Sequence, residues 1–328
     1  MQLLNVHTLQ LTTFCDRNVS DYAILSHTWE DEEILFEDIC DAKKRSRKRK
    51  NGWLKVQRSF VQAMVVGYSW VWIDTCCINK SSSVELSEAI NSMFQWYKDS
   101  SVCYAYVSDV TYEGGPSVQI VHSRWFTIGW TLQELIAPSM VVFYDNAWRR
   151  IGQRQERILA QKIVGATGLP DDMVTRLNNP WSFDLRTYLD RCSVSQRFSW
   201  ASHRSTKRLE DEAYFLLGIF GVTMQLRYGE GSQAFFRLQQ EILKDSDDQS
   251  ILAFRHSTHH KHDLLAESPR DYHMSHDIRP IYQVDFPFSH GSTTTALSPF
   301  AKMLEIPLYL CPPAQAGFSE RISWCFVL

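Results

Sequence analysis

Residues 70–74 read WVWID. Four large apolar side chains run without a polar break to a single carboxylate, the composition of a short strand buried on both faces. Upstream, Trp53, Val56, Phe60, Val61 and Met64 recur at helical spacing. They predict an amphipathic helix over 53–67 that Gly67 ends. Downstream, Ser81, Ser82 and Ser83 offer N-caps to a second helix over 85–98, lined by Leu86, Ile90, Met93, Phe94 and Tyr97. A strand follows over 102–107 (VCYAYV), then a helix over 130–136 stopped by Pro138, then a strand over 140–144 (MVVFY). The run at 22–26 (YAILS) supplies an earlier strand. Strands alternating with helices predict an α/β fold, a parallel sheet with helices on both faces.

Past residue 155 the pattern changes. Segments 158–164, 183–191, 210–220 and 232–243 read as helices, and 251–254 as a lone strand. From His256 onward His, Ser, Pro and Asp are frequent and periodicity is lost. The expected organisation is an α/β domain over 1–155, a mostly helical lobe over 156–254 and an irregular tail over 255–328. The apolar end at 325–328 (CFVL) implies either a piece of a longer protein or an end packed as a strand.

The 328 residues are 44% hydrophobic and 22% charged, which excludes a disordered, collagenous or disulfide-framework chain. Net charge is −3, so no global basic field predicts a nucleic-acid partner. No stretch approaches the ~18 to 20 apolar residues of a spanning helix. Residues 1–14 lack the basic and apolar regions of a signal peptide. The expectation is a cytoplasmic protein with reduced cysteines. None of the eight cysteines forms a CxxC pair, so no metal site is expected. The basic run at 43–50 (KKRSRKRK) reads as a solvated insertion, with nuclear import or nucleic-acid contact as the sharper reading. The cluster His256, His259, His260 and His262 reads as polar tail rather than metal ligands.

Ligands of open α/β sheets bind outside the carboxyl ends of the strands. That rule selects Ser26, His27, Thr28 and Trp29 after the first strand, Asp74, Thr75, Cys76 and Cys77 after the second, and Ser108 and Asp109 after the third. Capping of the adjacent backbone is the plainer role for each. His27 titrates near neutrality and suits a base or a ligand contact, or a buried structural histidine. Trp29 suits ring stacking or core packing. A Cys76 or Cys77 nucleophile with His27 needs a geometry that no spacing dictates, and two buried small residues are the simpler reading.

Four blocks together, YAILSHTW (22–29), VWIDTCCINK (71–80), ELSEAINSMFQWYKDSSVCYAYVSDV (85–110) and SRWFTIGWTLQELIAP (123–138), resemble the fungal heterokaryon-incompatibility (HET) domain over roughly residues 22–165. Residues 208–254 resemble the segment that follows this domain in many such proteins. The resemblance implies self/non-self recognition and regulated cell death. Ile128 stands where the family usually has Arg, and Glu30 where Gly is frequent. No role of that Arg carries over.

The HET domain is similar in turn to the TIR fold, a flavodoxin-like sheet of order 2-1-3-4-5. In catalytic TIR domains a helical Glu near the carboxyl end of the sheet promotes cleavage of NAD. On this resemblance Glu134 is the matching carboxylate. The candidate substrate contacts beside it are Ser26, His27, Trp29, Asp74, Cys76 and Trp130. One carboxylate suffices for the chemistry: nicotinamide is already a cationic leaving group, and the oxocarbenium-like state needs only nearby negative charge. NAD is then a substrate and no cofactor is required. A solvated surface glutamate is the equal reading of Glu134. The alternative function is a non-enzymatic signalling domain that self-associates and recruits partners.

Overall fold

A computed structural model describes residues 1–15, 19–40, 49–114, 120–176, 183–255 and 264–278. Its sheet comprises β1 (Gln2–Asn5), β2 (Leu11–Thr13), β3 (Ala23–His27), β4 (Trp70–Ile73), β5 (Val102–Tyr106), β6 (Val141–Tyr144) and β7 (Arg150–Gln153). The spatial order is β2-β1-β4-β3-β5-β6-β7. β4, β3, β5 and β6 are mutually parallel, with Ile24 opposite Trp72 on one side and Cys103 on the other. These four, numbered among themselves, run 2-1-3-4. Both flanks depart from the all-parallel expectation. The β1–β2 hairpin pairs antiparallel with β4, and β7 pairs antiparallel with β6, so the fifth position of the expected order is filled in the opposite direction.

The helices are α1 (Phe36–Cys40), α2 (Trp53–Val66), α3 (Asp74–Cys77), α4 (Ser83–Asp99), α5 (Thr131–Ile136), α6 (Arg157–Thr167), α7 (Asp171–Thr175), α8 (Leu185–Arg191), α9 (Val194–Ser199), α10 (Asp211–Tyr214), α11 (Leu217–Phe220) and α12 (Gln233–Asp245). Val56, Phe60 and Ala63 form the buried face of α2. Gly67 ends that helix in the left-handed conformation, φ 96°, where a Cβ would be strained. Ser82 caps α4 by accepting from the Glu85 amide at 3.3 Å. Asp74 does not end a strand but opens α3 directly from β4.

The segment 210–220 is two short helices, α10 and α11, rather than one. The expected strand at 251–254 is a 3-10 turn over Gln249–Leu252, because the Asp248 carboxylate accepts from the Ser250 amide and winds the chain. Sheet and later helices share one hydrophobic core, reaching from Leu3 to Tyr272. α11 lies so close to α4 that a Cβ on Gly218 would fall 2.0 Å from Phe94 Cβ. Residues 264–278 also join this core. The Tyr272 hydroxyl donates to the Ile251 carbonyl at 2.6 Å, and Gln239 donates to the Ala266 carbonyl at 2.8 Å. The basic run, apart from Arg49 and Lys50, lies outside the described residues, as do the histidine cluster and the rest of the tail. No described helix is long and apolar enough to cross a membrane.

Candidate functional site

The strand after β3 in sequence pairs on one side of it, and β5 pairs on the other. The carboxyl end of β3 is therefore the switch point where an α/β sheet opens for ligands. Consecutive strand residues face opposite sides. Ser26 accordingly meets Glu134 of α5, and His27 faces Glu33 and Asp74 of α3, so the expected site residues fall into two adjoining clusters.

The first cluster is built around Glu134. Ser123 caps a 3-10 turn over Arg124–Thr127, and Asp109 accepts from the Arg124 amide at 2.8 Å. This turn drives the Trp125 ring into the core against Phe126 and Phe143. The Trp125 indole donates to Ser26 Oγ at 2.8 Å, and Ser26 Oγ donates to Glu134 Oε2. Tyr97, whose hydroxyl donates to the Leu25 carbonyl at 3.3 Å, also lies beside Glu134. Glu134 is only 8% exposed, not a solvated surface residue. Burial pushes its carboxyl up to about 8. The Ser26 bond opposes that rise, the charge of Asp74 adds to it, and Tyr97 and Arg204 oppose it further.

Three buried arginines hold α5. At its amino end Arg204 donates to the Ile128 carbonyl at 2.8 Å and to Thr131 Oγ1 at 2.9 Å. At its carboxyl end Arg154 donates to the carbonyls of Leu135 and Ser139, and Arg176 to those of Ile136 and Ala137. Orphan carbonyls and the negative end of the helix dipole both favour cations there. Arg204 also acts electrostatically on Glu134.

The second cluster surrounds His27, whose side chain is 1% exposed. Its Nε2 lies 3.7 Å from Asp74 Oδ1 and 3.9 Å from Glu33 Oε2. Lys55 of α2 pairs with Glu33 Oε1 and donates to the Thr28 carbonyl at 3.4 Å. The Trp29 indole donates to Asp74 Oδ2 at 2.7 Å, and Lys80 Nζ sits 3.5 Å from the centre of its ring. Burial, reinforced by Lys55 and Lys80, holds His27 well below the usual histidine range, so its ring is neutral. Burial raises the Glu33 carboxyl against the opposing pull of Lys55.

Two expected contacts lie elsewhere. Cys76 is fully buried, its thiol donates to the Ile34 carbonyl at 3.3 Å, and burial raises it well above the usual thiol range. A thiol so protonated and enclosed is core, not a nucleophile. Trp130 turns toward the helical region and packs on Phe215 of the α10–α11 connection. Conversely, Glu33, Lys55, Lys80, Tyr97, Trp125 and Arg204 escaped the sequence reading. Lys55 alone leaves a trace, a charge next to the apolar positions of its helix.

Residues 22–120 match the family described as heterokaryon incompatibility protein (HET). That stretch of the chain is similar to the HET family. It is also 43% identical over 237 residues to "Vegetative incompatibility protein HET-E-1" of Podospora anserina. That alignment covers 69% of this chain and 16% of the relative, so the chain spans a small part of the curated relative it matches. No solved structure matches it.

Proposed function

We propose that this chain is a cytoplasmic HET-domain module of fungal heterokaryon incompatibility, acting in self/non-self recognition and regulated cell death. The family match and the name of the relative support that role. We further propose a TIR-like activity, cleavage of NAD at the nicotinamide–ribose bond, with Glu134 as the catalytic carboxylate. One observation carries it: a buried glutamate bonded to Ser26 at the switch point of a sheet whose parallel strands run 2-1-3-4.

The C1′–N bond breaks heterolytically and nicotinamide leaves as a neutral molecule. Water adds to the ribosyl cation and releases one proton, giving ADP-ribose. Glu134 must be ionised to stabilise that cation. Its carboxyl is protonated at rest because it is buried, and an arriving cationic ring favours the carboxylate. Ser26, held by Trp125, fixes the carboxylate's direction. The test is nicotinamide release by the purified chain, wild type against Glu134→Gln.

The self-associating alternative has its own support. Leu54, Val61, Val65 and Val66 are exposed on α2, and Val65 is 77% accessible. Contiguous exposed apolar residues mark association surfaces. That reading expects cell killing to survive Glu134→Gln and to fail in Val61→Asp with Val65→Asp.

A further inference from the structure

Both ring nitrogens of His27, Glu33 Oε2 and Lys80 Nζ are buried and have no hydrogen-bond partner among the described residues. Buried polar atoms in folded proteins are nearly always satisfied. These belong to a single cluster. His27 Nε2 faces Asp74 Oδ1 and Glu33 Oε2 at 3.7 and 3.9 Å, too far for direct bonds but matched to an oxygen bonded to both sides.

Charge narrows the class of ligand. Glu33 is neutralised by Lys55, and Asp74 by Lys80 at 4.0 Å. The carboxylates disfavour an anion, and the two ammonium groups disfavour a cation. Among the described residues no group of three or more His, Cys, Asp or Glu side chains is arranged to hold a metal ion. A hydroxyl satisfies the remaining atoms, accepting from the imidazole N–H and donating to a carboxylate. Both carboxylates flank the same ring nitrogen, so one hydroxyl accepts from its N–H and donates to Asp74 Oδ1, while a neighbouring hydroxyl donates to Glu33 Oε2.

We infer that His27, Glu33 and Asp74 form a seat for the vicinal hydroxyls of an uncharged sugar ring. The Trp29 indole, 44% exposed and fixed by Asp74 and Lys80, borders this seat with a ring against which a sugar or base packs. Under the NAD reading, on which this assignment of the sugar rests, the ring is a ribose.

The full chain is titrated calorimetrically with adenosine and with 2′,3′-dideoxyadenosine, which lacks both hydroxyls. The seat predicts binding of adenosine and affinity for the dideoxy compound at least ~10-fold weaker, because a site built to bond hydroxyls rejects an analogue without them. His27→Ala removes no hydrogen bond within the protein and should keep the fold, checked by its thermal midpoint, while weakening adenosine binding at least ~10-fold. Glu33→Gln should do the same. Its loss of the Lys55 pair threatens folding, so His27→Ala and the two nucleosides on wild type decide the matter. Equal binding of both nucleosides, no adenosine binding, or unchanged affinity in a folded His27→Ala overturns the seat. Nicotinamide release is measured in parallel. Diol-dependent binding without release retains the seat and removes the cleavage reading. Release with no diol dependence does the reverse.

Discussion

The Ser26 hydroxyl donates to the Glu134 carboxylate across 108 positions of sequence, joining the end of β3 to α5. The bond orients the buried carboxyl of that cluster and ties it to the sheet. The Trp125 indole completes the serine's bonding from behind. A carboxylate so enclosed has consequences for stability, pH dependence and chemistry.

Glu134 carries its proton up to about pH 8 when folded, against an ordinary value of 4.5. Between these values the folded chain holds a proton that the unfolded chain has released. Its contribution is therefore most favourable below the window and falls as pH rises through it. Glu134→Gln has no such fall. Relative to wild type, the variant should gain stability with rising pH, on the order of a few kcal/mol across the window. Denaturant titrations of both chains at pH 5 and pH 8.5 read this directly. A stability difference independent of pH contradicts the buried, protonated state.

Arg204→Met should loosen the amino end of α5 by removing bonds to Ile128 and Thr131. Hydrogen bonds from a charged group are worth about 1.5–3 kcal/mol. The unfolding midpoint should drop accordingly, and nicotinamide release should fall with it as Glu134 loses its placement. Wild-type stability in this variant would deny Arg204 its positioning role.

Two glycines give opposite expectations. Gly218→Ala forces a methyl into Phe94 Cβ, an atom that cannot swing aside, and should cost at least ~2 kcal/mol. Gly165 lies inside α6 with nothing within 4 Å of an added Cβ, so Gly165→Ala should stabilise by about 1 kcal/mol. The same contact makes the helices after 155 part of the sheet's support. A chain ending at 155 should lack a cooperative unfolding transition.

Thiol chemistry separates core from surface. Cys15 and Cys40 are exposed, whereas Cys76, Cys77 and Cys103 are buried with raised pKa values. Iodoacetamide at pH 7.5 should label Cys15 and Cys40 in the native chain and reach Cys76 and Cys77 only after denaturation, read by peptide mass spectrometry. Rapid native labelling of Cys76 would restore a nucleophilic reading.

Much of this fold is legible in the residues. β4 to β6 are continuous apolar runs, β3 opens on one at Ala23–Leu25, and α2 and α4 keep helical spacing up to Gly67 and from Ser82. The flanking strands are not legible in this way. Leu11–Thr13 and Arg150–Gln153 are short and partly exposed, and only pairing with a neighbour makes them strands. Ser26, His27, Asp74 and Glu134 were reachable through the carboxyl-end rule and resemblance. The split into two clusters follows from strand alternation at Ser26 and His27. Arg204 and Glu33 left no signal, since a buried charge looks like a surface charge until its partners are in place.

The most direct test of the central claim is nicotinamide release from NAD by the concentrated, purified chain, wild type against Glu134→Gln, across pH 6 to 9. The account predicts release that rises with pH through about 8 as Glu134 ionises. It also predicts a loss of at least ~100-fold in the variant, the scale of removing a preorganised electrostatic group. No release from wild type, or a variant that matches it, would contradict the claim.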